Sequence, residues 1–417
     1  MNDYLTPVLL DEDENSTREQ QQGDNSLSIK NLAESEDTII KDYLYRLHHG
    51  VLEDERIAVQ KILALDNEKK TFLRNPYVNY DPSTGMHFLG DKSIIFSLTD
   101  RGNPYELVCK IDQGISDTDV NFLLAVSGFS KESDSPDALL DYIRKQAIKN
   151  SFYQGKVLTF RNTDYFMMNG LTVIEPEERD INDIYVPEPQ LHQMRRFIHT
   201  IKNAARKKGG LRFLLNGRPG TGKTELTRAV ISAVAGSSTV LITQGADCPV
   251  DKVFDFISLF PNSLLIIDDI DFIAEDRKSN GSRKALGGLL QVLDGYIPNQ
   301  VNLIATTNDH RLVDEAASRP GRFDLILDIP EIGTELYDQL ILRETEDEEI
   351  IAVFTEQVRN RMRNHRVTGA FIVNFIKQLD GLKEMEGSIS PQRLEEILEL
   401  TLRGVNKSEL AAEIGFN

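Results

Sequence analysis

The chain has 417 residues, 40% hydrophobic and 27% charged, with a formal net charge of -19 and a pI near 4.9. That length accommodates two or three domains with substantial cores. The acidity argues against a nucleic-acid binder, whose affinity comes mostly from Lys and Arg neutralising phosphates. Cys109 and Cys248 lie far apart, with no C-x-x-C and no His cluster, which argues against a disulfide scaffold or structural zinc site and fits a reducing cytoplasm. No apolar run approaches the roughly 20 residues that span a bilayer. The acidic start, MNDYLTPVLLDEDENSTREQ, lacks the basic-then-apolar order of a signal peptide, so a cytoplasmic location without membrane contact is expected.

In chain order, residues 1–36 are rich in Asp, Glu, Gln, Asn and Ser and read as a disordered acidic arm. Its short apolar cluster, Tyr4–Leu10, reads either as plain tail or as a partner contact. From Asp37 to about Leu65 the residues Ile39, Ile40, Tyr43, Leu44, Leu47, Ile57, Val59, Ile62 and Leu63 recur at helical spacing and predict one or two helices. Strands are predicted at Ile94–Leu98, Tyr105–Ile111, Lys156–Phe160 and Leu171–Ile174, and helices at Ser116–Val126 and Pro136–Lys149. Residues 37–176 thus read as a small α+β N-terminal domain without a chemical motif, and the charged, Pro-bounded residues 177–188 as a linker. Pro189–Lys208 predicts a helix whose basic end, Arg206–Lys208, is solvated.

The apolar run Leu211–Leu215 then enters Gly217-Arg218-Pro219-Gly220-Thr221-Gly222-Lys223-Thr224, and Glu225–Val234 follows with helical spacing. This is G-x-x-x-x-G-K-[ST] between strand and helix. Its glycines let successive backbone N–H groups face phosphate oxygens, and the helix N-terminus adds its positive dipole end. Lys223 is expected on the β- and γ-phosphates, and Thr224 in the Mg2+ shell. The loop residues Gly217 to Glu225, including Pro219, Gly220, Thr221 and Gly222, are the candidate cradle of a nucleoside triphosphate.

Downstream, strands alternate with helices, the signature of a doubly wound parallel sheet. Thr239–Thr243 predicts a strand and Val250–Leu259 the helix after it. Leu264–Ile267 runs as a buried strand into Asp268, Asp269 and Asp271. The first carboxylate, Asp268, is placed to hold Mg2+, and the second, Asp269, to polarise an attacking water. Val301–Thr307 is another buried strand, ending at Asn308, which is placed to orient that water or read the γ-phosphate. In Ala316-Ala-Ser-Arg319-Pro-Gly-Arg322-Phe-Asp324, two arginines flank a stiff Pro-Gly turn. Their planar, permanently charged forks suit an arginine finger offered to a neighbouring subunit's nucleotide.

Taken together, these blocks resemble the AAA family of ring-forming ATPases, in the classical AAA group of the AAA+ superfamily. The likeness runs from about Asp183 to the C-terminus. It rests on the phosphate loop, the strand ending in Asp268-Asp269-Ile-Asp271, Ala305-Thr-Thr-Asn308 and the Arg319–Asp324 block, in that order. The resemblance implies an AAA+ α/β nucleotide-binding domain over 189–331, a helical lid over 332–417, and ATP with Mg2+ as cofactors. It further implies Asp268 on the metal, Asn308 as first sensor, Arg319 and Arg322 as fingers, and a homo-oligomeric, hexameric ring. Asp183-Ile184 stands where the family lines its adenine pocket, and Gly369-Ala370 matches the lid's [ST]-G-A-x pattern near adenine and ribose.

Two departures qualify this. The family's water-activating residue is Glu, whereas Asp269 is one methylene shorter; misplacement on that scale can cost about 100-fold in rate, so slow hydrolysis is expected. The segment Gln244–Val250 holds no aromatic residue for threading polypeptide, and Phe254, Phe256 and Phe260 fit core-facing helix positions better. In this short pore region and in Gly288–Gly295 the chain is similar to the mitochondrial inner-membrane AAA chaperone of iron–sulfur protein translocation. Arg277–Lys284 carries four cations and reads as a solvated loop or a contact to an acidic client. The expected function is a Mg-ATP-hydrolysing protein-remodelling chaperone that recruits a protein client through the N-terminal domain. The alternatives are a nucleotide-gated scaffold for an effector protein and a DNA-associated ATPase.

Overall fold

A computed structural model describes residues 26–32, 34–66, 71–73, 76–81, 85–89, 93–113, 120–128, 136–160, 170–203, 209–244, 250–270, 293, 301–308, 322–414. Met1–Asn25, the loop at 245–249, Arg277–Lys284, Arg206–Lys208 and Arg319 lie outside them, so the arm, pore and basic-loop expectations concern undescribed residues. The chain divides into two compact units. One contains residues up to 32 with 44–77 and 91–144; the other contains 33–43, 78–90 and 145–417.

The first unit is built on a six-stranded antiparallel sheet in the order β1-β8-β7-β6-β2-β3, formed by β1 (Ser26–Leu32), β2 (Ile57–Asp66), β3 (Thr71–Leu73), β6 (Ser93–Asp100), β7 (Asn103–Gln113) and β8 (Val120–Gly128). Three expectations are corrected here. Ser26–Leu32, read as part of the arm, pairs along its length with β8. Ile57–Leu65, read as helical, is strand β2. Its register shifts between Val59 and Lys61, so Ile57 and Ile62 are both buried although five residues apart. A bulge of this kind breaks the period-2 signal and imitates a helical one. Val120–Val126, also read as helical, belongs to β8, which pairs on one edge with the preceding β7 and on the other with β1, remote in sequence.

Helices α1 (Glu34–His48) and α2 (Pro136–Lys149) connect elements of the chain, and β4 (Val78–Asp81) with β5 (Met86–Leu89) forms a hairpin in the second unit. That unit centres on a seven-stranded sheet, β10-β9-β12-β13-β14-β11-β15. Its strands are β9 (Val157–Phe160), β10 (Leu171–Ile174), β11 (Arg212–Asn216), β12 (Val240–Gln244), β13 (Leu264–Asp268), β14 (Asn302–Thr307) and β15 (Leu325–Asp328). All neighbours pair in parallel except β9 with β10. The strands Lys156–Phe160 and Leu171–Ile174, grouped above with the N-terminal domain, therefore extend this sheet, β9 lying parallel to β12. A four-residue apolar strand carries no local mark of its partner, so only pairing could assign it.

The middles of the central parallel strands are apolar, as burial on both faces demands. Leu264, Leu265, Ile266 and Ile267 of β13 are all buried, as are Leu303, Ile304 and Ala305 of β14. Helices α3 (Glu188–Lys202), α4 (Lys223–Val234) and α5 (Val250–Ser258) belong to this unit. Asn302 stitches the strand starts together: its side-chain amide donates to Ser263 O at 2.8 Å, and its oxygen accepts from Leu211 N at 3.1 Å. Beyond β15, helices α6 (Thr334–Glu344), α7 (Glu348–Val353), α8 (Glu356–Asn364), α9 (Gly369–Glu386) and α10 (Pro391–Ile414) form a lid with its own core around Phe354, Phe371 and Phe375. The architecture is α/β with a helical lid, accompanied by a smaller N-terminal α+β part.

Phe197 of α3 is fully buried, with its ring 4.6 Å from that of Phe213 on β11. Phe197→Ala should destabilise the nucleotide-domain transition by about 3 to 5 kcal/mol, and Phe197→Leu by distinctly less, measured by chemical denaturation.

Candidate functional site

The chain leaves β11, skips over β14 and β13 to reach β12, and later places β15 on β11's other side. The carboxyl end of β11 is thus a topological switch point, where open α/β sheets form crevices. There the loop Gly217–Gly222 curls back. Gly220 (φ +81°) and Gly222 (φ +101°) occupy left-handed backbone that glycine adopts without strain. A Cβ at Gly217 would lie 2.4 Å from Ile329 O, and one at Gly220 would lie 2.8 Å from Thr368 Oγ1. Within the loop the Thr221 hydroxyl donates to Arg218 O at 2.9 Å. Gly222 caps α4, whose first turn carries Lys223, Thr224 and Glu225.

Lys223 is only 7% exposed. Its ammonium donates to Gly217 O (2.6 Å), Arg218 O (3.1 Å) and Asn308 Oδ1 (2.7 Å). These three acceptors come from two strand ends and orient the ammonium. Asn308 follows β14, and its amide donates to Asp269 Oδ1 at 3.1 Å. The contact to Lys223 fixes which end of that amide is oxygen. Asp268 ends β13 and accepts from Thr306 Oγ1 at 2.5 Å, while the same hydroxyl oxygen accepts from Asp269 N at 2.9 Å. Asp269 itself is left-handed (φ +53°). Asp tolerates this region better than most residues, yet single strained positions of this kind concentrate at functional sites.

These groups share a cavity of about 800 Å3, which Pro219, Gly220, Thr221, Gly222, Lys223, Thr224, Glu225, Asp268, Asp269 and Asn308 line from the sheet side. Ile184 and Tyr185 line it from the segment before α3, and Leu340, Gly369, Ala370 and Val373 from the lid. Gly217 is packed beneath the loop rather than at the cavity. Asp183 is exposed and does not line it; its carbonyl accepts from Arg343 and its N–H donates to Asp180 O.

Sequence reading missed several residues. Arg343 of α6 stacks over Tyr185 at 4.5 Å and donates to Asp183 O at 3.0 Å, bracing the base of the lid against the segment before α3. Asn374 and Lys377 of α9 also face the cavity. Arg218 pairs with Glu331 at 3.0 Å. Burial raises the Glu331 carboxyl, but its own backbone N–H and the nearby Arg218 and Arg366 charges hold it below its usual range. Arg212 N donates to Asp324 Oδ2 and Asp324 N to Arg212 O, each at 2.8 Å, so the Arg322–Asp324 block is clamped to β11. Burial lowers the Arg212 pKa, with partial compensation from Asp324. Arg322 is 5% exposed, so a finger role requires its guanidinium to turn outward against a docking neighbour. None of these pairings leaves a motif, because each joins residues whose spacing depends on loop and lid geometry.

Charge and shape fit a nucleoside triphosphate with a divalent cation. Backbone N–H groups and one buried ammonium face paired carboxylates, and an apolar slot between Ile184 and the lid suits a flat base.

A glycine-built phosphate loop at the switch point of a parallel sheet, facing carboxylates on β13, defines a P-loop nucleotide-binding domain. Comparison with known proteins gives it a family: residues 213–331 match the ATPase family associated with various cellular activities (AAA), so the chain carries an AAA-family domain. It is similar to the proteasome-activating nucleotidase of Aeropyrum pernix, 41% identical over 133 residues, which are 28% of this chain and 32% of that one. Against the proteasome-activating nucleotidase of Methanocaldococcus jannaschii it is 29% identical over 263 residues, 57% of each chain. The ATP-dependent zinc metalloprotease FtsH 3 of Phytoplasma mali is 36% identical over 136 residues, 28% of this chain and 23% of that one. In each case the match spans less than two thirds of the relative's length.

Gly220→Ala tests the loop geometry. It should destabilise the fold by about 1 kcal/mol through the left-handed backbone and weaken fluorescent-nucleotide binding, because Thr368 and Ala370 leave no room for the methyl group.

Proposed function

We propose that the protein is a Mg-ATP-hydrolysing AAA ATPase that works as a homo-oligomeric, hexameric ring and remodels a protein client. The observation that carries this reading is the continuous chain Lys223–Asn308–Asp269, which links the phosphate-facing ammonium to the candidate water-activating carboxylate. ATP with Mg2+ would bring the bond to be cleaved and the charge that Asp268 and Thr224 hold. Lys223 and the loop N–H groups would orient the phosphates, and Asp269, held by Asn308, would accept the proton of the attacking water. Arg319 and Arg322 are assigned to a neighbour's site. The first unit is assigned to client recruitment, β9 and β10 with 189–331 to the nucleotide domain, and 332–417 to the lid.

A second reading draws on relatives named for activating a proteasome: the ring would gate an effector protein, with slow hydrolysis resetting it. The short reach of Asp269 fits that use.

Lys223→Ala should abolish ATP binding. Asp269→Asn should retain it and reduce turnover by about 100-fold or more, measured by phosphate release and equilibrium binding. Unchanged turnover in Asp269→Asn would remove its assigned role. Arg322→Ala should bind ATP yet lose turnover, and wild-type activity per subunit should fall on dilution. Dilution-independent activity in a monomer would overturn the ring.

A further inference from the structure

The lid and the segment leading into it touch the phosphate loop on the two sides of Pro219. On the trailing side, Ala370 N, in the first turn of α9, donates to Gly220 O at 3.3 Å. On the leading side, the Arg218 guanidinium donates to Glu331 Oε1 at 3.0 Å. Neither Arg218 nor Glu331 lines the cavity.

The position of Glu331 gives this pair its significance. Ile329 is buried in the core of the nucleotide sheet, whereas Ile332 is buried in the core of the lid. Glu331 thus sits in the short crossing between two separate cores, two residues before Gly333, the N-cap of α6. Any rotation of the lid relative to the sheet must be absorbed along this crossing. The loop itself abuts it, since Gly217 has no room for a Cβ beside Ile329 O. Asn216 Nδ2 also donates to Asp328 Oδ1 at 2.7 Å just upstream. Arg366, left-handed at φ +44° and close before α9, adds a second positive charge toward Glu331.

We propose that Arg218 is a positioning residue which, through Glu331, couples the lid angle to the shape of the phosphate loop and so tunes nucleotide affinity from outside the cavity. This rests on the nucleotide-binding reading above. The side chains are 26% and 29% exposed, and an ion pair so accessible adds little to fold stability. Its effect is on populations: without it the lid samples more angles, a smaller fraction of molecules has loop and lid together in the competent arrangement, and apparent affinity falls by that fraction.

The experiment titrates a fluorescent ATP analogue with Mg2+ into the full chain, alongside thermal melting without nucleotide. The variants are Arg218→Ala, Arg218→Lys, Glu331→Gln and the reversed pair Arg218→Glu with Glu331→Arg. Arg218→Ala and Glu331→Gln should each weaken binding about 3- to 5-fold with the nucleotide-free melting temperature unchanged. Arg218→Lys should retain most of the affinity, and the reversed pair should recover most of the loss. Wild-type affinity in both single variants, a reversed pair as weak as the singles combined, or affinity lost only in step with melting temperature would each overturn the coupling. Failure of the wild-type chain to bind the analogue would instead overturn the nucleotide reading beneath it.

Discussion

A buried ammonium must be held by acceptors, or its desolvation cost outweighs what it contributes. Lys223 meets that demand with oxygens from two strands' ends: the carbonyls of Gly217 and Arg218 after β11, and the amide of Asn308 after β14. Much of the second unit follows from this. β14 must lie beside β11 for Asn308 to reach the ammonium, and β13 beside β14 for Asp269 to reach Asn308. The sheet order is thus the order in which cation, amide and carboxylate have to stand. The three oxygens fix the ammonium at the mouth of the phosphate loop, where it lines the cavity beside Asp268 and Asp269.

Thr306 organises the carboxylates in the same economical way. Its hydroxyl donates to Asp268 and accepts from the Asp269 N–H, so one oxygen sets both the side chain of the first residue and the backbone of the second. The left-handed turn at Asp269 follows directly. It swings the chain out of β13 at once and lets two consecutive residues, which along an extended strand would point to opposite faces, both line one cavity. A longer side chain is one solution to reaching a bound water; bending the backbone beneath a shorter one is another.

The phosphate loop, β13 with its carboxylates, β14 with Asn308 and the helical character of the lid were legible in the sequence, since each is a local signal: glycines at fixed offsets, or an apolar run ending in polar residues. What escaped was non-local. The bulge in β2 replaced alternation with a spacing that looks helical. β8 is covered on its outer edge by β1, far upstream, rather than marked by its own pattern. β9 and β10, short and apolar, carried no indication that they extend the nucleotide sheet. Asp183 matched the family's adenine-pocket stretch, yet it is its neighbours Ile184 and Tyr185 that enter the cavity, because the short turn over Ile181–Asp183 keeps its side chain in solvent.

The cations found only in three dimensions share one physical logic. Arg343 stacks on Tyr185 and binds Asp183 O; Arg212 secures the Asp324 block through its backbone and donates from its side chain to Leu293 O; Arg218 meets Glu331. Each joins the end of one element to a segment remote in sequence. Guanidinium suits such joints because it keeps its charge when partly buried, offers several donors in one plane, and stacks on an aromatic face. Apolar cores then hold the sheet and lid as bodies, while arginines at the joints set the angles between segments. Those angles, more than the cores, determine whether loop, carboxylates and base slot converge on one ligand.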